Sequence, residues 1–305
     1  MDFFVQQLVN GLTLGSVYAL LALGYTIVYG ILKLLNFAHG EVYMMGAFAG
    51  YFVLSALGGA ESPALPVALV LVLMFLAGAL GSGLLGVAIE RFAYRPLRDA
   101  PRIAPLITAL GMSFFLQSTA LLLFSADVRD MNTAELVSPS TGIHAGPLDI
   151  SLIRILVIVA AALLMVALAR FVAQTKLGKA MRAVAYDREA AEMMGIDVNR
   201  TIVAAFFIGS VLAGIAGVMV GLVFGRVWHL MGFVAGLKAF TAAVIGGIGS
   251  IPGAMLGGLL IGMAEAFTAG YISSTFQNLI VFGLLIAFML ARPRGLLGSP
   301  ALEKV

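Results

Sequence analysis

The chain has 305 residues, of which 61% are hydrophobic and 11% charged, with a net charge of +3 and no cysteine. That composition excludes a soluble globular domain, whose polar shell these residues cannot supply, and it excludes open strands, whose backbone groups would go unsatisfied in lipid. It also excludes disulfides and thiolate metal sites, and leaves an all-α, polytopic transmembrane helical bundle organised as a single domain over residues 1–305.

In chain order, residues 5–32 form the first predicted span, with no basic segment before it, so it reads as an uncleaved span rather than a signal peptide. Lys33 follows, placed to snorkel to the inner surface. A second span over 38–57 is interrupted at its start, where LNFAHGEVYMMG sets Asn36, His39 and Glu41 inside an apolar stretch. The third, over 64–89, runs into a loop carrying Arg91, Arg95, Arg98 and Arg102, and the fourth covers 103–125. After a long segment over 126–150, the fifth covers 151–172 and leads into TKLGKAMRAVAYDREAAEMMGIDVNRT, a charged cassette over 175–201. The sixth span covers 202–225. A seventh over 237–248 is broken by GGIGSIPGAMLGG, and spans over 254–271 and 277–291 complete eight or nine crossings.

The basic residues give an orientation. Lys176, Lys179, Arg182, Arg188 and Arg200 in the cassette, the four arginines after the third span, and Arg292, Arg294 and Lys304 in the tail all fall on one side. The opposite segments hold Arg129 and Arg226, with Arg154 at the edge of a span. Positive loops stay in the cytoplasm, which puts the N-terminus outside and the C-terminus inside.

Both breaks are expected to line an interior, because glycine turns and Pro252 at membrane depth are tolerated only where freed backbone groups face protein or a wet cavity. Each is followed by a small-residue helix, GAFAGYF from Gly46 and GAMLGGLLIG from Gly253, which suggests an internal two-fold repeat. Asn36, His39, Glu41, Gly249, Ser250 and Glu265 are therefore candidates for a translocation pathway. His39 and Glu41 bind a polar solute on one reading and lock the broken helix on another. Glu265 has Lys238 as its in-span ion-pair candidate. Pairs such as Gly11 with Gly15, Gly46 with Gly50 and Gly258 with Gly262 put small residues on one helix face for close packing.

Within the cassette, Asp187 is a good N-cap, Arg188 to Met194 are helix formers, and Gly195 suits a left-handed C-cap. A two-turn helix follows, too short to stand alone. It either enters a groove on a soluble partner or rests on lipid headgroups. The chain has no G-x-x-x-x-G-K-[ST], so it carries no nucleotide-hydrolysing site of its own. His39, His144 and His229 lie too far apart to suggest a metal site, and neither cofactor nor nucleic acid is expected.

Taken together, NGLTLGSVYALLALGYTIVYGILKLLNFAHGEVYMMGAF, ERFAYRPLR, TALGMSFFLQ, the cassette and AVIGGIGSIPGAMLGG resemble the permease subunits of high-affinity branched-chain amino-acid ABC importers, in particular their shorter, LivH-like members. The resemblance implies a multi-pass protein of the bacterial inner membrane. Its partners would be a second permease subunit, identical or homologous, two cytoplasmic ATPase subunits and a periplasmic or extracellular solute-binding protein. The cassette resembles the coupling loop of such permeases, with Asp187, Arg188, Glu189, Ala190, Ala191, Met194 and Gly195 as the residues that meet an ATPase, although a Leu-Pro found in some related loops is missing. Similar permeases carry urea or short-chain amides. An ion-coupled secondary transporter using His39, Glu41 and Glu265 is the alternative of a different class.

The charge distribution predicts that single cysteines at positions 98 and 188 resist an impermeant thiol reagent added outside intact cells, while a cysteine at Ser138 is labelled. Outside labelling at Arg188→Cys would reverse the orientation.

Overall fold

A computed structural model describes residues 2–61, 63–98, 100–101, 103–138, 141–145 and 148–298. Twelve α-helices dominate it: α1 (Asp2–Leu32), α2 (His39–Ala56), α3 (Val67–Ile89), α4 (Ile103–Phe124), α5 (Thr133–Leu136), α6 (Leu152–Gln174), α7 (Lys176–Tyr186), α8 (Arg188–Met193), α9 (Val198–Phe224), α10 (Met231–Gly246), α11 (Ile251–Tyr271) and α12 (Gln277–Ala291). Helix α3 continues through a π-helical turn, Glu90–Tyr94, and a 3-10 turn, Arg95–Leu97. Seven helical segments are long and apolar enough to cross a membrane, and α2 and α10 fall short of that measure. The protein is thus an all-helical polytopic membrane protein. Two small antiparallel ribbons, β1 (Arg129–Asp130) with β4 (Arg226–Val227) and β2 (Gly142–Ala145) with β3 (Leu148–Ser151), add strands that hydropathy does not reveal.

Helices α1 and α9 form the centre. The apolar window of α1 is 78% buried, whereas that of α12 is 6% buried, so α12, like α4 and α6, presents most of its surface outward. Close approach at the centre relies on missing side chains. Gly258 and Gly262 of α11 lie directly on Ala19 and Gly15 of α1, and Gly46 of α2 meets Gly214 of α9 beside Gly78 of α3. The pairings have a regular pattern: α1 packs on α10 and α11 as α9 packs on α2 and α3, α2 packs on α3 as α10 packs on α11, and α1 meets α9 while α2 meets α10.

Sequence reading places the second informative break at Gly246 to Gly258. The structure has a tight turn there, with Gly247 and Gly249 at positive φ, leading into α11 with Ser250 as its N-cap. Leu296 and Leu297 donate backbone hydrogen bonds to Ile245 and Gly246, so the C-terminal segment caps α10 at this end. The interruption that ends near Glu41 is instead the one before α10, where Gly232 and Gly236 pack on Gly40.

Arg98 also departs from the simple picture of a free basic loop. Its side chain is buried, ion-paired to the fully buried Glu90, and donates a 2.5 Å hydrogen bond to Asn199 Oδ1 at the start of α9. A cysteine there would be shielded on either side of a membrane, so the exposed Arg91 is the position that reports on this loop.

Deep in the bundle, Lys238 of α10 holds Glu265 of α11 at 2.7 Å, and the Tyr18 hydroxyl of α1 donates to the same carboxylate at 2.8 Å. Removing one partner strands the other charge in an apolar interior, which costs about 3 to 5 kcal/mol. Lys238→Met should therefore lower stability by that amount, and the joint Lys238→Met/Glu265→Gln variant should recover most of it. Thermal unfolding in detergent measures both, and a fully stable Lys238→Met protein would count against a stabilising pair.

Candidate functional site

Asn36, His39 and Glu41 converge because the chain turns back at Lys33, which takes a positive φ of 55°, and re-enters the bundle as α2. Asn36 Oδ1 accepts a 2.9 Å bond from the Tyr94 hydroxyl in the π-helical turn, and its carbonyl accepts from the His39 amide. The His39 ring sits against Gly24 of α1, where any side chain would collide with it, and packs edge-on to Tyr25 with 4.7 Å between centroids. It bonds the Leu21 backbone, while Nε2 is buried without a partner among the described residues.

Glu41 is fully buried. Its Oε1 accepts from Gln117 Nε2 at 2.8 Å and Ser113 Oγ at 3.1 Å, both on α4, while Oε2 has no partner among the described residues. Oε2 faces the first turn of α10, where a Cβ on Gly232 would stand 2.5 Å away. Two helix N-termini thus meet around one carboxylate, an arrangement in which the partial positive charge of unpaired first-turn amides favours the anion. Nothing comparable surrounds the other pathway candidates. Glu265 is neutralised by Lys238. Gly249 lies with Ile251 on a small cavity lined also by Ile27 of α1 and by Met181 and Arg182 of α7, and Ser250 spends its hydroxyl on the Gly253 amide. The structure brings Asn36, His39 and Glu41 together and keeps Gly249, Ser250 and Glu265 apart from them.

The charged cassette folds as two helices rather than one. Thr175 caps α7 by accepting from the Gly178 amide, and Gly178 lets α7 turn tightly against Phe171 and Val172 of α6. Asp187 caps α8 by accepting from the Ala190 amide at 3.1 Å, and Gly195 closes it at φ 81°. Ala191 is 4% exposed and faces inward, on a helix that packs against α7 and α9. That corrects the expectation that both alanines face a partner, since Ala191 is buried within this chain and Ala190 is exposed. Arg188, Glu189, Ala190 and Glu192 are exposed, and Met193 and Met194 are 82% and 83% exposed. Two bare methionines on a short, capped helix make an adaptable apolar knob.

Ser113, Gln117, Tyr94, Gly232 and Gly236 were not singled out by sequence. Ser113 and Gln117 do carry a signal, being polar residues one turn apart in a largely apolar span. Their partner lies 72 and 76 residues away, a distance that helical periodicity does not bridge.

Residues 7–290 match the family model for the permease component of branched-chain amino acid transport systems. The chain is 45% identical over 305 residues to the high-affinity branched-chain amino acid transport system permease protein BraD of Pseudomonas aeruginosa, covering 99% of this chain and 98% of that one. It is 43% identical over 315 residues to the permease protein LivH of the corresponding system in Salmonella typhimurium and in Escherichia coli, again covering 99% of this chain and 98% of each.

The two α4 donors are expected to tie α4 to the first turn of α2 through Glu41. Gln117→Leu should cost about 1 to 3 kcal/mol, the penalty of leaving a buried acceptor short of a donor, and Glu41→Gln in that background should restore part of it by replacing the buried acid with a neutral amide. Unfolding midpoints in detergent test this, and a neutral Gln117→Leu would show that α4 is held by its apolar stripe alone.

Proposed function

The chain belongs to the permease components of branched-chain amino acid transport systems, and on that premise we propose that it forms the membrane pathway of an ATP-driven importer for branched-chain amino acids and receives its motion through α8. It is a permease subunit of a multisubunit transport system and a multi-pass membrane protein. Full-length likeness to permeases named for that solute class carries the assignment of substrate. The urea or amide alternative within the family has no comparable support.

In this reading α2 and α10 are two further, shorter crossings that bring the total to nine, with the N-terminus outside and the C-terminus in the cytoplasm. Arg91, Arg95, Arg98, Arg188 and Lys33 gather near one end of the bundle, while Asp127, Asp130 and Arg226 lie at the other, which supports that orientation. Exchange of pairings between α1, α2, α3 and α9, α10, α11 supports two related halves, matched differently from the glycine motifs, which fall on α2 and α11. The short helices meet N-terminus to N-terminus beside Glu41, as interrupted helices do at transport sites, and this supports Asn36, His39 and Glu41 as pathway residues. An ion-coupled mechanism would need Glu265 free to meet the ion, whereas Lys238 and Tyr18 hold it.

The exposed methionines of α8 carry the coupling assignment. A chain without a nucleotide motif must take up work through a surface, and α8 offers a preorganised one to two cytoplasmic ATPase subunits. A second permease subunit and a solute-binding protein complete the proposed assembly.

Met193→Asp/Met194→Asp should release the ATPases or uncouple ATP hydrolysis from uptake, losing about 1.5 to 3 kcal/mol for each buried methionine, while the permease still inserts and folds. Ala191→Asp should instead disturb the permease itself. Co-purification and uptake of radiolabelled leucine with ATP are the measurements. Normal ATPase retention and uptake, with weaker membrane association of the loop, would return α8 to the role of a lipid-surface connector.

A further inference from the structure

Beside the coupling loop, but turned away from α8, a cavity of about 600 Å³ opens between the end of α3 and the start of α9. Its mouth carries three guanidiniums, Arg91, Arg95 and Arg200, all exposed. Asp197, the acid that lines it, is ion-paired with Arg200 at 3.0 Å, and the nearby Glu90 is taken by Arg98. Arg91 and Arg95 have no carboxylate partner among the described residues, so the mouth keeps a positive excess. The walls below are apolar, formed by Val87, Val203 and Phe207.

Depth sorts these groups. Along α9, Phe207 lies about 10 Å further into the bundle than Arg200 at 1.5 Å per residue, and Val87 is one turn deeper than Arg91. Cations therefore sit where a membrane surface meets water and the apolar walls lie in the hydrocarbon. A free anion would be served by the mouth alone, and an apolar ligand by the walls alone. One class of molecule uses both.

We propose that this groove is a binding site for an anionic phospholipid of the leaflet at the basic end, its phosphate held by Arg91, Arg95 and Arg200 and an acyl chain lying along Val87, Val203 and Phe207. Paired phosphate contacts suit guanidinium forks, and basic pockets between helices at the cytoplasmic face are a recurrent form of lipid recognition. The site borders Asn199 and so touches the bond that ties Arg98 to α9. Bound lipid would fill the groove between α3 and the helix that leaves the coupling loop. The inference rests on the spanning geometry and not on the identity of the solute.

Native mass spectrometry of the assembled, ATPase-bound complex tests it, with phosphatidylglycerol titrated into phosphatidylcholine-containing detergent. Retention of phosphatidylglycerol should weaken about fivefold for each arginine removed in Arg91→Gln and Arg91→Gln/Arg95→Gln. Val203→Trp, which fills the apolar part without touching charge, should also lose it, and Arg226→Gln at the opposite end should not. Inorganic phosphate at millimolar concentration should leave retention unchanged. Equal retention in the wild type and the double variant would overturn the proposal. So would displacement by phosphate, which would make the mouth a simple anion site, or binding that occurs only after the ATPases are stripped, which would make the groove part of a protein interface.

Discussion

A carboxylate withdrawn from water inside a lipid-embedded bundle must be met by donors or cations, since neither solvent nor lipid will do it. Three glutamates are buried among the described residues, and each is met differently. Glu265 has a lysine and a tyrosine from two other helices. Glu90 has the arginine of the following loop. Glu41 has two neutral donors on α4 and, on its other side, the first turn of α10. The first two arrangements are ion pairs that fix α1, α10 and α11 to one another and fold the α3–α4 loop onto α9. One oxygen each of Glu41 and Glu90 has no partner among the described residues, but the third arrangement, at the place where two short helices meet, holds no cation. That difference in compensation, more than burial itself, separates the functional candidate from the structural pairs.

Glycine decides whether such an arrangement can exist. Gly40, Gly232 and Gly236 let the first turns of α2 and α10 approach until a Cβ at any of them would meet backbone or the Glu41 carboxylate. At Gly24, even a methyl would displace the His39 ring. Packing of this kind is cheap in conformational terms only inside a helix already fixed by its neighbours, because glycine otherwise weakens helices by about 1 kcal/mol. The buried positions of α1 and α9 supply that support.

How much of this could be read from sequence depended on the range over which each feature acts. The apolar spans and the caps of α8 were legible, because hydropathy, Asp187 and Gly195 act over a few residues. Lys238 and Glu265 were legible as a pair because few other charges share their spans. The turn at Gly247 to Ser250 was recognisable as an interruption, but glycine and proline mark a bend without marking its depth, so its position beside α7 and the C-terminal segment could not be foreseen. Ala190 and Ala191 are chemically identical, and which one faces inward depends on how α8 packs on α7 and α9, which the charged composition of the cassette concealed. The ribbon of β1 with β4 joins residues nearly a hundred apart in sequence through two short strands, below the length at which alternation is informative.

The same bonds that satisfy the buried polar groups also link the two candidate regions. Asn199 at the start of α9 accepts from Arg98, Arg98 pairs with Glu90, and Glu90 opens the π-helical turn that carries Tyr94. Tyr94 donates to Asn36, and the Asn36 carbonyl accepts from the His39 amide at the first turn of α2. Apart from the exposed Arg98–Asn199 bond, the side-chain contacts in this series join buried groups, where no water replaces a lost partner, so separating them carries the desolvation cost. A displacement of the loop over 175–201 is therefore resisted least when α9, the end of α3 and the start of α2 move together. The π-helical turn that continues α3 lies at this junction, where a widened helical turn can absorb a change in pitch that an α-helix would resist.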